Sequence, residues 1–321
     1  MNLSVSVFLF LVLWSSDSLA QQAPTVSCDV PIVVTRFDTV FQELDTKDFL
    51  VHVGTSPVAL RSASIDSGPK RVALILDASR YVQDKEWVLE TQMAAVLVGH
   101  ARPFDSFALV LVGRENTTQG FLSPAEARER LQELGPSRPS GTDSTERVYD
   151  ALLEAAKHLD PPRFGDVLVL FGHMYDVGSK TDPDRLLALI MKARLRILGF
   201  DFEDPLPTTL PPGFDPNSIP PESSAPQKIS KMVAETGYYF SFHGMEVLGR
   251  PGQLQLLEGF LGDVYRRIAE PYRLSAPAFA TKGRLTLGIT VANSEGRKIR
   301  PTDLHYPQFV FPCATPPAAP R

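Results

Sequence analysis

Between Arg71 and Ala269, short unbroken apolar runs alternate with longer stretches of helical period. The apolar runs Val72 to Asp77, Phe107 to Val112, Asp166 to Phe171, Leu195 to Phe200 and Tyr238 to Phe242 predict strands. The first three are nearly continuous in Val, Leu, Ile and Phe, as strands covered on both faces are. Helices are predicted over Asp84 to Val98, Pro124 to Leu134, Ser144 to Leu159, Pro183 to Ala193, Gln227 to Glu235 and Gln253 to Ile268. Two of them carry start signals. Ser123-Pro124-Ala125-Glu126 sets Ser at the N-cap, Pro at the first helical position and an acid in the first turn, and Thr181-Asp182-Pro183-Asp184 is built alike. This alternation predicts an α/β fold, a doubly wound, mostly parallel sheet of Rossmann-like kind.

The flanks have a different period. From Cys28 to Ile65 the runs PIVVTRF, FLVHV and PVALRSASI read as edge or half-buried strands; from Gly283, RLTLGITVA, the turn NSEGRK and LHYPQFVF read as a hairpin and a further strand. Neither flank has enough apolar surface to stand alone. Joined, they make a small β-sandwich-like module drawn from both termini, with the α/β domain inserted between. The division expected is residues 21–70 for the amino-terminal β segment, 71–270 for the α/β domain, 271–313 for the carboxyl-terminal β segment and 314–321 for a disordered tail. Eight prolines between Asp204 and Gln227 exclude helix or interior strand and predict a long loop at 204–227, at the carboxyl edge of the sheet.

Charge excludes one class of partner. A net charge of -5 with no local Lys/Arg cluster offers no footprint for nucleic acid. The first 20 residues hold an apolar stretch from Val5 to Trp14 and then Ser18-Leu19-Ala20, the pattern of a signal peptide cut after Ala20, although Asp17 is the only charge there. The apolar stretch is too short to span a bilayer, which needs about 20 residues. A secreted or periplasmic protein without a membrane span after cleavage is therefore expected. Cys28 and Cys313 are the only cysteines and lie near the ends of the mature chain, which in an exported protein favours one disulfide between them. Such a bridge would contribute roughly 4 to 5 kcal/mol by chain entropy. Two buried thiols, or a bridge to another chain, are the alternatives.

The chemistry centres on RVALILDASRYV, residues 71–82, where a strand delivers Asp77 and Ser79 to its carboxyl end. Two oxygens so placed suit a hard divalent cation. With Ser140-Gly-Thr142 leading into Val148-Tyr-Asp-Ala-Leu152, and the strand Val167 to Gly172 followed by His173, the chain resembles a von Willebrand factor type A (vWA) related protein of the secreted bacterial type. Leu44 to Phe49 and Glu270 to Leu274 extend the resemblance over nearly the whole mature chain. The resemblance implies a metal-ion-dependent adhesion site made of Asp-x-Ser-x-Ser, a Thr on a second loop and an Asp on a third. Here Asp77, Ser79 and Thr142 stand at matching positions, but Tyr81 replaces the second Ser and His173 replaces the second Asp.

An imidazole suits zinc, copper or nickel better than magnesium, and the lost carboxylate removes charge that would balance a cation. The expectation is a degenerate site without a cofactor, in which Asp77 and Ser79 bond to neighbouring backbone and His173 donates to Asp77. The alternatives are a weak magnesium site, with Asp143 or Asp176 as substitute carboxylate, and a zinc-type site using His173. No catalytic residues are expected: a Ser79, His173, Asp77 triad lacks the Gly-x-Ser-x-Gly turn and oxyanion donors, and no Gly-rich phosphate loop is present. The resulting reading is a non-enzymatic protein-binding or adhesion-type protein. A protein partner docks where Arg80, Tyr81, Asp143, His173 and the Pro-rich loop meet. A metal-dependent hydrolase using Asp77, Thr142 and His173, and a structural subunit of an envelope complex, are the competing readings.

Overall fold

In the computed structural model the described residues are 30–36, 44–79, 82–113, 120–135, 138–139, 147–176, 178–202, 225–241, 253–277, 284–291 and 304–310. Five strands, β5 (Arg71–Asp77), β6 (Ser106–Val112), β7 (Val167–Gly172), β8 (Arg196–Asp201) and β9 (Tyr238–Ser241), form a parallel sheet in the order β6-β5-β7-β8-β9. The helices between them are α1 (Asp84–Gly99), α2 (Pro124–Leu134), α3 (Val148–His158), α4 (Pro183–Ala193), α5 (Ala225–Thr236) and α6 (Gln253–Ala269).

Period-two alternation along β5 sorts its residues between two cores. Val72, Leu74 and Leu76 pack with Trp87, Met93 and Leu97 of α1, Leu131 of α2 and Leu261 and Tyr265 of α6. Ala73 and Ile75 face Leu152 and Ala155 of α3, Ile190 of α4 and Val233 of α5. Helices therefore cover both faces, which is why β5 and β7 are buried at every position and read as unbroken apolar runs. The chain leaves β5 for β6 on one side and returns to β7 on the other. The strand order thus reverses between β5 and β7, the place where doubly wound sheets open a crevice beyond their carboxyl ends.

Two four-stranded antiparallel sheets make a second core. They run β12-β1-β10-β4 and β13-β11-β2-β3, with β1 (Val30–Arg36), β2 (Phe49–Val53), β3 (Ser56–Val58), β4 (Ser62–Ile65), β10 (Tyr272–Ala276), β11 (Leu285–Val291), β12 (Leu304–His305) and β13 (Phe309–Val310). Each sheet interleaves strands from both sides of the α/β domain, as in the register Val33↔Arg273 and Ile289↔Val51. Ile32, Phe49, Val51, Tyr272, Leu274, Leu287 and Ile289 fill the space between the sheets, with Phe49 edge-on to Tyr272 at 5.5 Å.

Four details depart from the sequence reading. The run LHYPQFVF is two short strands in different sheets rather than one: β12 pairs with β1 and β13 with β11. Pro307 lies between them and can donate no ladder bond, so the chain changes sheets there. Helix α5 begins at Ala225, so Pro226 sits in its first turn, where a missing N–H costs nothing. Helix α3 begins at Val148 behind Arg147, whose φ of -121° and ψ of 63° are not helical. The third and fourth sheet strands each run one residue beyond the predicted end, to Gly172 and Asp201. Of the proline-rich segment, 203–224 lies outside the described residues, as do Cys28 and Cys313.

Candidate functional site

At the carboxyl end of β5, Asp77 is 1% and Ser79 0% exposed. The strand end turns on itself: Ser79 N donates to Asp77 Oδ1 at 2.9 Å, and Val82 N to Ser79 O at 3.3 Å. Arg138 Nη1 also donates to Ser79 O, fastening residue 138 to this turn. The hydroxyl of Ser79 is buried without a hydrogen-bond partner among the described residues. From α1, Glu90 Oε2 accepts the backbone N–H of Asp77 at 2.9 Å. Helix α1 thus reaches the strand end with a carboxylate, and Glu90 is itself 0% exposed.

Across the strand-order reversal, β7 ends at Gly172, whose φ is +134°. A Cβ there would stand 2.5 Å from Asp77 Cβ, so glycine is required both by the backbone and by the close approach of β5. That approach brings His173 to the same rim. The donation from His173 to Asp77 that the sequence led us to expect is not made; its Nε2 lies 3.5 Å from Glu86 Oε2 instead. Glu86 is available because it is the N3 residue of α1. Its Oε2 accepts the N–H of Gln83 at 2.7 Å in a capping box.

Burial pushes the His173 imidazole down, but the hydrogen bond and charge of Glu86, and then the charges of Asp77 and Asp201, outweigh it and hold its pKa above the ordinary value. For Glu86, burial pushes upward; the bonds to His173 and to the Gln83 backbone outweigh that and hold its carboxyl below the ordinary value. Both shifts favour an imidazolium facing a carboxylate. Tyr175, 41% exposed, stands beside it with ring centroids 6.2 Å apart.

Asp176 is not turned to Asp77. Its Oδ1 accepts from Ser179 Oγ at 2.5 Å and from Tyr149 N at 3.2 Å, so it satisfies an orphan donor at the start of α3. Asp150 answers in the other direction, accepting Thr181 N at 2.9 Å and Thr181 Oγ1 at 2.6 Å. The pair locks Asp176 and the segment 179–181 onto α3, and its Tyr-Asp dipeptide has this structural task. Arg80, Tyr81, Thr142 and Asp143 lie outside the described residues. Sequence reasoning missed Glu86, Glu90 and Tyr175. A signal for Glu86 was present in Gln83-x-x-Glu86, the spacing of a capping box. Among the described residues no three His, Cys, Asp or Glu side chains come together to hold a metal ion.

The fold and rim define a doubly wound α/β domain carried on a two-sheet β-sandwich. No protein-family profile matches the chain and no curated protein does. Solved structures are similar to it. Proximal thread matrix protein 1 from the mussel byssus is 15% identical over 65% of this chain, with a TM-score of 0.45; the chain spans about half of that protein, 49%. A conserved hypothetical protein, BatB, from Bacteroides thetaiotaomicron is 14% identical over 62% of this chain and 98% of its own, with a TM-score of 0.44. A von Willebrand factor type A protein from Catenulispora acidiphila is 10% identical over 88% of this chain and 74% of its own, with a TM-score of 0.45. Among the described residues no helix is long and apolar enough to cross a membrane.

Proposed function

We propose that the chain is an exported, non-enzymatic protein-binding protein of the vWA kind, whose rim works without a metal. The observation that carries this reading is the His173–Glu86 pair. At the position where the resemblance calls for a metal-ligating Asp, the chain has an imidazole 3.5 Å from a carboxylate of α1 and held toward its charged form. An imidazolium donates from both nitrogens and has no lone pair for a metal. Beside Asp77 it supplies positive charge that a cation would otherwise bring. Magnesium fits this donor set poorly: one described carboxylate oxygen of Asp77 is taken by Ser79 N, and His173 is turned to Glu86.

The partner contacts His173 and Tyr175 together with Arg80, Tyr81 and Asp143. Tyr and Arg are the types that most often anchor interfaces. The test is a pull-down of binding partners with the wild type and with a Tyr81→Ala, His173→Ala double variant. Capture of one protein by the wild type and its loss in the folded variant is expected; equal capture by both refutes the rim as interface. One observation favours a second reading, a weak magnesium site: the buried Ser79 hydroxyl, which lacks a hydrogen-bond partner among the described residues. Retention of metal by the wild type after desalting, lost in Asp77→Ala, would favour it.

A further inference from the structure

Arg196 opens β8 at the amino end of the parallel sheet, opposite the rim, and is 3% exposed. Its Nη1 donates to Thr35 Oγ1 at 2.9 Å and Arg267 O at 3.5 Å, and its Nη2 to Ile268 O at 3.2 Å and Gly165 O at 3.3 Å. All four acceptors are neutral. Its Nε has no hydrogen-bond partner among the described residues.

Other cations nearby are matched differently. Arg71 holds Asp166 at 2.5 Å, Lys70 holds Asp66 at 2.7 Å and Arg102 holds Asp105 at 2.9 Å. Asp66 and Asp166 reach Arg196 only through space, having given their oxygens to Lys70 and Arg71. Burial lowers the Arg196 pKa to about 10, a fall these two acids partly oppose, so the guanidinium is still charged at neutral pH. A charge removed from water without a counter-ion costs several kcal/mol.

Beside it is a cavity of about 10 Å³ lined by Arg196, Thr35, Thr236, Tyr238, Arg267 and His305 among others. Among the described residues no acidic side chain lines it. A space of that size, open to the centre of a water-sized sphere, seats one water or one monatomic ion and is too little for a carboxylate-headed ligand or a phosphate. A water would give Nε an acceptor but leave the charge unbalanced. An open groove of about 430 Å³ shares Gly237, Tyr238, His305 and Tyr306 with the cavity, placing it next to solvent.

We propose that this cavity is a binding site for a small monovalent anion of the halide class, chloride in its usual surroundings, seated against Arg196 Nε. The lining comes from β1, β8, α5, β9, α6 and β12, so the ion ties the β-sandwich to the α/β domain. It is independent of the rim and of what docks there.

The test uses the full-length wild type. Melting temperature is followed as chloride or bromide replaces gluconate at constant ionic strength, and crystals grown in bromide are examined for anomalous scattering. Expected are a melting temperature that rises and saturates with halide, as linkage requires of a ligand of the native state, and a bromide peak beside Arg196 Nε. Melting that follows ionic strength alone overturns the proposal. So does a peak elsewhere, or a cavity holding only water. A peak beside Arg196 without halide-dependent melting would mark an adventitious ion only, and overturns it too.

Discussion

Replacing Glu86 with glutamine isolates the electrostatics of the rim. Glu86 Oε2 both accepts the Gln83 N–H at 2.7 Å and faces His173 Nε2 at 3.5 Å. A glutamine oxygen can keep the first bond, so the substitution removes charge rather than the helix cap. A hydrogen bond to a charged group contributes about 1.5 to 3 kcal/mol net. At 3.5 Å this contact is at the long limit of hydrogen-bond geometry, and the side chains are 3% and 15% exposed. A loss of about 1 to 2 kcal/mol is therefore expected where both groups are charged.

The pH range follows from the two shifts. His173 is raised from its ordinary 6.5, so its contribution is complete below 6.5 and disappears as pH climbs through the higher folded value. Glu86 is lowered from 4.5, so its contribution is complete above 4.5 and disappears as pH falls through the lower folded value. Both are in full force between those two ordinary values. Urea unfolding of wild type and Glu86→Gln at about pH 5.5 and about pH 8.5 reads the difference. The cost should be larger at the lower pH and shrink toward zero at the higher. An equal cost at both, or none at the lower, refutes an imidazolium–carboxylate pair.

Further substitutions test the parts that hold this rim and its sheet. Gly172→Ala places a side chain at φ +134° and against Asp77; at least about 1 to 3 kcal/mol of backbone strain is expected, visible as a lower urea midpoint. Arg71→Met leaves Asp166 buried without its bidentate partner, and about 3 to 5 kcal/mol should be lost in the same measurement. Phe200→Ala removes a ring stacked on Phe171 at 4.7 Å and on Phe240 at 4.8 Å; a loss of about 3 to 5 kcal/mol is expected, with the melting temperature falling accordingly.

The parallel sheet was legible because β5 and β7 are covered on both faces, and full burial writes itself as unbroken Val, Leu and Ile. Asp77 was legible because it ends such a run. What His173 would meet was not. Its partner comes from α1, and the contact depends on how closely β7 approaches β5 at Gly172, a distance that no sequence spacing encodes. The strand alternation of FLVHV and RLTLGITVA predicted sandwich strands, and β2 and β11 do pair. The split of LHYPQFVF between two sheets is decided by tertiary pairing with β1 and β11, and only Pro307 marked the corner. Arg196 was invisible as a site, since it is the first residue of an ordinary strand and the lining of its cavity arrives from six separate elements.

The central claim is that positive charge at this rim belongs to His173 and not to a bound cation. It is tested most directly by the melting temperature of the full-length protein, stripped with a chelator and then titrated with magnesium at constant ionic strength. The account predicts no change on adding magnesium, in the wild type as in Asp77→Ala. A saturable rise in the wild type that Asp77→Ala abolishes would contradict it.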